Sequence, residues 1–135
     1  MDRTTVVEEL PLHLVVAGQP SLAMSAELRY ESTDPYAVHA TFRAEDSEVT
    51  WVLSRELLMT GLQAVSGIGD VRVQPCEDSP ESVVLIQLSS PDGVAVLAAS
   101  AVDLRGFLLR TCDQVPPGAE ASFLDLDLKL AQLLA

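Results

Sequence analysis

The chain has few aromatic and few basic side chains. Only 4% of its 135 residues are Phe, Trp or Tyr, so we expect a core built from Val, Leu, Ala and Ile. Lys and Arg number 8 against 20 Asp and Glu, which gives a formal net charge of −12. A phosphate-binding surface needs clustered basic residues. Here Lys129 is the one lysine and no two basic residues are adjacent. This balance opposes non-specific nucleic-acid binding and docking on an anionic membrane.

Cysteine and histidine are also scarce, which removes the common metal and nucleophile motifs. Cys76 and Cys112 are too few and too far apart for a disulfide scaffold or a zinc ribbon, and we expect two buried or half-buried thiols. His13 and His39 lie outside any H-x-x-x-H or H-x-E pattern. There is no G-x-S-x-G motif, and the SGIGD stretch at 66–70 lacks the lysine of a phosphate loop. The residues therefore predict no catalytic, metal or cofactor-binding site, and they leave the partner-binding residues unknown.

Long apolar runs are missing as well. The amino-terminal stretch MDRTTVVEEL has no apolar segment of signal-peptide length. The longest apolar run, around GVAVLAA, is far shorter than the ~20 residues of a membrane-spanning helix. We therefore expect a cytoplasmic protein that is not inserted in a membrane. Because hydrophobic residues make up 48% of the chain, residues 1–135 fit a single domain with a core of its own.

What the chain does have is alternation of apolar and polar residues, the period of a strand with one buried face. Seven segments are predicted as strands: 4–17, 22–30, 36–44, 48–54, 70–76, 82–90 and 93–99. Pro11 favours an edge position or a bulge for the first of them, since proline cannot donate to a ladder. Within 82–90, Val83 to Leu88 are nearly all apolar, which favours a central strand covered on both faces. Strand runs joined by short loops predict antiparallel sheets with segregated helices, the α+β class.

Three helices are predicted between and after these strands. Ser54 and Ser100 are good N-cap residues. The helices that they begin carry apolar residues at helical spacing, namely Leu57, Leu58, Leu62 and Val65 in the first and Leu104, Phe107, Leu108 and Cys112 in the second. SGIGD is interpreted as a C-cap and turn. The tail FLDLDLKLAQLLA alternates like a strand, but it is rich in helix formers and has no β-branched residue. We interpret it as a second carboxy-terminal helix from about residue 125, capped by Asp125.

Residues 34–42, DPYAVHATF, raise the question of whether His39 belongs to a chemical site. Asp34 and Pro35 favour a turn. In the strand that follows, Tyr36 and Phe42 fall on the apolar side and His39 on the other. We therefore interpret His39 as structural or solvent-facing, and we expect Tyr36 and Phe42 to pack.

Four stretches of the chain, in order, resemble the SsgA-like (SALP) family of actinomycete sporulation and cell-division proteins. They are LRYESTDPYAVHATF at 28–42, GDVRVQP at 69–75, LSSPDG at 88–93 and FLLRTCDQVPPGAE at 107–120. The pattern R-Y-x-x-x-D-P-Y-A-V is the most specific of these, and DPYAVHATF is most like the SsgB branch. Gln74 departs from the pattern, because an aromatic residue is expected before Pro75. The likeness extends from about residue 6 to the end of the chain.

The resemblance implies a non-enzymatic regulator of cell division and sporulation. It implies a Whirly-like α+β fold, a homotrimer and a location at the division septum. The implied partners are FtsZ, which the protein recruits or positions at septation sites, and a paralogous SsgA-like protein. Because Whirly proteins bind single-stranded nucleic acid, a module of that type is the alternative, and the charge of −12 opposes it.

Overall fold

One antiparallel sheet of eight strands organises the fold. The structure, a computed structural model, describes residues 4–79, 82–124 and 133. The strands are β1 Thr5–Leu14, β2 Leu22–Glu31, β3 Ala37–Ala44, β4 Ser47–Ser54, β5 Ser66–Ile68, β6 Val71–Pro75, β7 Val83–Ser90 and β8 Gly93–Ser100. Their spatial order is β4-β3-β2-β1-β8-β7-β6-β5, and all neighbours are antiparallel. The predicted antiparallel α+β class is confirmed, with eight strands in place of about seven.

The additional strand is β5, which lies where the sequence predicts a C-cap and turn. Its three residues pair with Val71–Val73 of β6. Gly69, with a φ of 61°, lies in the tight turn between the two strands, a conformation that glycine adopts without steric cost. A strand of three residues with a glycine at its centre is too short to show alternation, so no periodic signal marked it.

The prediction that Pro11 marks an edge strand or a bulge is wrong, because β1 lies between β2 and β8 and its register with β2 is continuous through Pro11. β1 pairs with β2 along its whole length, but with β8 only over Leu12–Leu14. Pro11 therefore stands just outside the shorter ladder.

Two helices begin at the predicted caps. The Ser54 hydroxyl accepts a hydrogen bond from the Leu57 N–H at 3.2 Å at the start of α1 (Arg55–Gly61), and the Ser100 hydroxyl accepts one from the Asp103 N–H at 3.1 Å at the start of α2 (Ala101–Gln114). The stripe of α2 is buried as predicted at Leu104, Phe107 and Leu108 and half-buried at Cys112. That of α1 is shorter than predicted, because the helix ends at Gly61 and leaves Val65 exposed.

A single-turn helix, α3 (Glu120–Phe123), follows the VPPG turn. The predicted helix from residue 125, with Asp125 as its cap, lies outside the described residues.

The core lies between the inner face of the sheet and the two longer helices. α1 packs on β4, β5 and β6, while α2 packs on β1, β7 and β8. The inner face carries the alternate apolar residues of the strands, including Leu10, Leu28, Val38 and Ile86. Because α1 and α2 follow the carboxyl ends of β4 and β8, they cover the sheet from that end.

Candidate functional site

The charged group with the most internal partners is Arg55, the first residue of α1, whose side chain is only 1% exposed. Its Nη1 donates hydrogen bonds to the carbonyl oxygens of Val115 at 2.7 Å and Thr111 at 3.3 Å. Its Nη2 donates to Oε2 of Glu120 at 2.8 Å. The guanidinium also lies over the ring of Tyr30, 5.1 Å from its centroid. One cation thus joins β2, α1, the end of α2 and α3.

The DPYAVHATF segment packs next to this cation. The hydroxyl of Tyr30 donates to the carbonyl of Pro35, and the backbone N–H of Arg55 donates to the carbonyl of Tyr36, both at 2.9 Å. Phe42 is buried as predicted. Tyr36 is 53% exposed, so the prediction that it packs is wrong. Its contact with the cluster is made by its backbone carbonyl, which accepts the hydrogen bond from Arg55. The contacts of this segment in the structure are therefore structural: they hold the β2–β3 turn against the start of α1.

Glu120 completes the cluster from the carboxy-terminal side. The hydrogen bond from Arg55 holds the pKa of this carboxyl below its ordinary value, and the N–H of Gly118 supports the same shift by donating to Oε1 at 2.8 Å. The two bonds fix the VPPG turn against α1.

Tyr30 offers a test of this cluster, because burial raises its pKa to about 12 from an ordinary value of 10.0. A folded pKa above the unfolded one means that this stability is complete below pH ~10 and is lost as the pH rises towards 12. We expect Tyr30→Phe to cost about 1–2 kcal/mol at pH 7, because the Pro35 carbonyl loses its donor. Urea unfolding from pH 7 to 11 should show a smaller alkaline loss in the variant than in the parent. Equal losses would contradict the assignment.

The histidines and cysteines come together in no site within the described ranges. Nε2 of His39 lies 3.4 Å from Oδ2 of Asp34, in a largely exposed pair beside the β2–β3 turn. His13 is exposed, and Cys76 and Cys112 are half-buried free thiols. Across residues 4–79, 82–124 and 133, no group of three or more His, Cys, Asp or Glu could hold a metal ion.

Carboxylates surround most of the arginines that the structure describes. Four of the six have a carboxylate oxygen at 3.8 Å or less: Arg29, Arg43, Arg55 and Arg110. Arg43 contacts three, Glu9, Glu27 and Glu48, and the hydrogen bond to Glu48 is the main reason that its pKa is raised. These pairs leave little free positive charge for a phosphate backbone.

The inner face of the sheet is open at the end opposite the helices. A cavity of about 570 Å³ lies there, lined by apolar residues of six strands, by Ser90 and Asp92, and by no residue of α1, α2 or α3. Its lining residues on that face include Leu14, Met24, Phe42, Val49, Trp51 and Leu88. We call this cavity the apolar trough. It has the apolar character of a binding surface and no cluster of polar groups of the kind that catalysis needs.

Fold and surface together define an acidic, antiparallel α+β protein with an apolar trough that no helix of the described residues covers. Among the residues that the structure describes, no helix is long and apolar enough to cross a membrane. Comparison with known proteins identifies its family. The profile described as "Streptomyces sporulation and cell division protein, SsgA" matches residues 24–120.

The relatives are similar along nearly the whole chain. The sporulation-specific cell division protein SsgB of Streptomyces coelicolor is 51% identical, over 98% of this chain and 97% of its own. SsgB of Kineococcus radiotolerans is 48% identical, over 98% and 82%. A solved structure of the SsgA-like sporulation-specific cell division protein of Thermobifida fusca is 39% identical, with a TM-score of 0.86 over 96% of this chain and 95% of that one. The chain therefore belongs to the SsgA family and most resembles its SsgB members, as predicted, which gives it a role in cell division linked to sporulation.

Proposed function

We propose that the protein is a non-enzymatic regulator that recruits or positions FtsZ at septation sites during sporulation. The observation that carries this proposal is the nearly full-length likeness to SsgB proteins, which are named as sporulation-specific cell division proteins. The apolar trough supports it, because an uncovered apolar surface of this kind suits a protein partner. In the proposed role the protein acts at the division septum together with a paralogous SsgA-like protein.

The test is co-sedimentation with polymers of purified FtsZ at two ionic strengths, about 0.05 M and about 0.3 M. They lie below and above the physiological ~0.15 M, at which the Debye length is ~8 Å. We expect the protein to pellet with the polymers at the lower salt and less at the higher one, because charges steer the encounter. Serum albumin, another acidic protein, serves as the control. If the protein stays in the supernatant at both ionic strengths, the proposal fails.

The same proposal includes a homotrimer. Apolar side chains on more than one element are exposed in the single chain, among them Val7 on β1 and Val102 and Leu109 on α2. Oligomerisation commonly covers such surface. We expect light scattering at micromolar concentration to give about three times the chain mass. A monomer under these conditions would contradict this part of the proposal.

A single-stranded nucleic-acid-binding module is the second candidate, and the surface opposes it. Arg72 and Arg105 are the only arginines of the described ranges that have no ion pair there. We expect no measurable binding of a short single-stranded DNA at physiological salt. Fluorescence anisotropy of a labelled oligonucleotide checks this prediction. Salt-sensitive binding tighter than about 10 µM would revive the alternative.

A further inference from the structure

The apolar trough lies on the same face of the sheet as the core, but outside the part of that face that α1 and α2 cover. Cross-strand partners lie on the same face of a sheet. Val49 is paired with the buried Phe42, and Leu22 is paired with Leu14 of the trough. Both Val49 and Leu22 are nevertheless 54% exposed. This end of the inner face is therefore an apolar surface without a cover among the described residues.

The trough is bordered by an open sheet edge. β4 is the last strand on its side of the sheet. Within the described ranges, residues 47–53 make their backbone hydrogen bonds with β3 alone. The strand has no proline or lysine, two of the devices that protect an edge from further pairing. An extended segment paired with β4 would project alternate side chains beside Val49 and Trp51, into the trough.

The loops at this end give the trough a negative rim. They are residues 15–21, 45–46, 69–70 and 91–92. Their charged residues are all carboxylates: Asp92, which lines the trough, Glu45 and Asp46 between β3 and β4, and Asp70 further away between β5 and β6. The guanidinium of Arg43 is already held by three glutamates. Such a rim attracts basic residues and repels acidic ones.

We propose that the apolar trough and the free edge of β4 together bind an extended segment of a partner protein, in which apolar side chains alternate and Lys or Arg residues flank the apolar part. Only the identity of the partner rests on the proposed function. The mode of binding follows from the open edge, the uncovered apolar face and the acidic rim.

Trp51 reports on this site directly, because it lines the trough and is the one tryptophan of the chain. The probe is a nine-residue peptide of alternating valine and threonine with two lysines at each end. Its control has glutamates in place of the lysines. We expect the lysine peptide to change the Trp51 emission saturably and to bind at least ~5-fold more tightly than the control at low salt, with the ratio falling at ~0.5 M salt. If neither peptide changes the emission, or both bind equally at low salt, the proposal is wrong.

Two valines of β4 give a matched pair of variants. Val49 faces the trough, whereas Val52 faces the opposite side of the same strand, and the two are 54% and 60% exposed. Because both are exposed, Asp at either position should leave the fold intact, which circular dichroism checks. We expect Val49→Asp to weaken binding of the lysine peptide at least ~10-fold and Val52→Asp to change it less than ~2-fold. Equal effects of the two substitutions would overturn the proposal.

Two other occupants are possible outcomes, and each would overturn the proposal. Hydrogen exchange at the outward-directed amides of β4, measured on the full chain without peptide, separates them. Protection that grows with protein concentration, together with a lower mass of Val49→Asp in light scattering, would assign the trough to a second copy. Protection that is independent of concentration would assign it to the chain's own carboxy-terminal residues. Rapid exchange, slowed by the lysine peptide, is the expected result.

FtsZ polymers then test whether this surface serves the proposed function. We expect the parent and Val52→Asp to co-sediment with them and Val49→Asp to bind at least ~10-fold more weakly. If the parent does not bind FtsZ but the peptide results hold, the proposed function fails and the binding site remains. If the parent, Val52→Asp and Val49→Asp bind FtsZ equally well, FtsZ binds another surface of the protein. The inference that the trough binds FtsZ is then wrong.

Discussion

Replacing Arg55 by methionine is expected to destabilise the fold by about 3 kcal/mol, which lowers the melting temperature by roughly 10 °C in a chain of this size. The substitution keeps much of the apolar volume but removes the donors to two buried carbonyls at the end of α2 and to Glu120. The Thr111 carbonyl keeps the N–H of Val115 as a donor, but the buried Val115 carbonyl loses its donor and carries the cost of its lost hydration. Glu120 can turn towards solvent, since its side chain is 16% exposed, and this keeps the loss at the lower end of the range for broken buried pairs.

The matched control for this prediction is Arg105→Met, at an exposed position of α2. It should change the unfolding free energy by less than ~0.5 kcal/mol. If both variants unfold at the same denaturant concentration as the parent, the cluster around Arg55 does not stabilise the fold as argued.

The contribution of the Arg55–Glu120 pair also depends on pH. The pKa of Glu120 is lowered in the folded protein from an ordinary value of 4.5. A lowered folded pKa stabilises the fold above the unfolded pKa, and this contribution is lost as the pH falls through the folded value. The difference in unfolding free energy between the parent and Glu120→Gln should therefore be present at pH 7 and narrow below about pH 4. A difference that stays constant down to pH 2.5 would contradict the ion pair.

Alanine at Gly61 is expected to destabilise the protein by about 1–3 kcal/mol, although alanine is the better helix former by about 1 kcal/mol. Gly61 is the last residue of α1, and a Cβ placed there would lie 2.5 Å from the Cβ of Val73 and nearer still to its Cγ1. Val73 is fully buried in β6, so it has no free space into which it could move. The helix can approach the sheet so closely only because this residue has no side chain.

Gly106 provides the opposite result with the same substitution. It lies inside α2, and a Cβ added there meets no atom within 4 Å. Gly106→Ala should therefore stabilise the protein by about 0.5–1 kcal/mol, because alanine loses less backbone entropy on folding. Chemical denaturation of the two variants checks the pair. If Gly61→Ala and Gly106→Ala shift the unfolding midpoint in the same direction, α1 does not approach β6 as closely as the structure shows.

Gly61 shows why a local pattern could not give the packing. In the sequence, a glycine inside a helical stripe only weakens the prediction of a helix. The structure shows why glycine is needed: Val73 of β6 packs against this position. Val73 lies 12 residues further along the chain, beyond β5 and the turn that follows it. No helical period contains that information.

Arg55 was missed for a related reason. The partners of its side-chain hydrogen bonds lie 56 to 65 residues away in sequence, so no local pattern predicts its burial. One local signal does exist. A positive charge in the first turn of a helix interacts unfavourably with the helix dipole, so an arginine there indicates a stabilising contact elsewhere in the fold. The family resemblance found the segments around this cluster, DPYAV and VPPGAE, but could not show that one cation holds them together.

The sequence by itself determined the antiparallel strands, the two serine caps, the acidic surface and the family, because alternation, capping, charge and motif order are properties of neighbouring residues. Only the tertiary structure decided the position of β1 between β2 and β8, the pairing of β5, the burial of Arg55 and the apolar trough beside β4. Each of these depends on which distant segments meet. Strand order and the cover of a face are set by packing between elements, and the period of a strand is the same whether a helix, a partner or solvent lies against it.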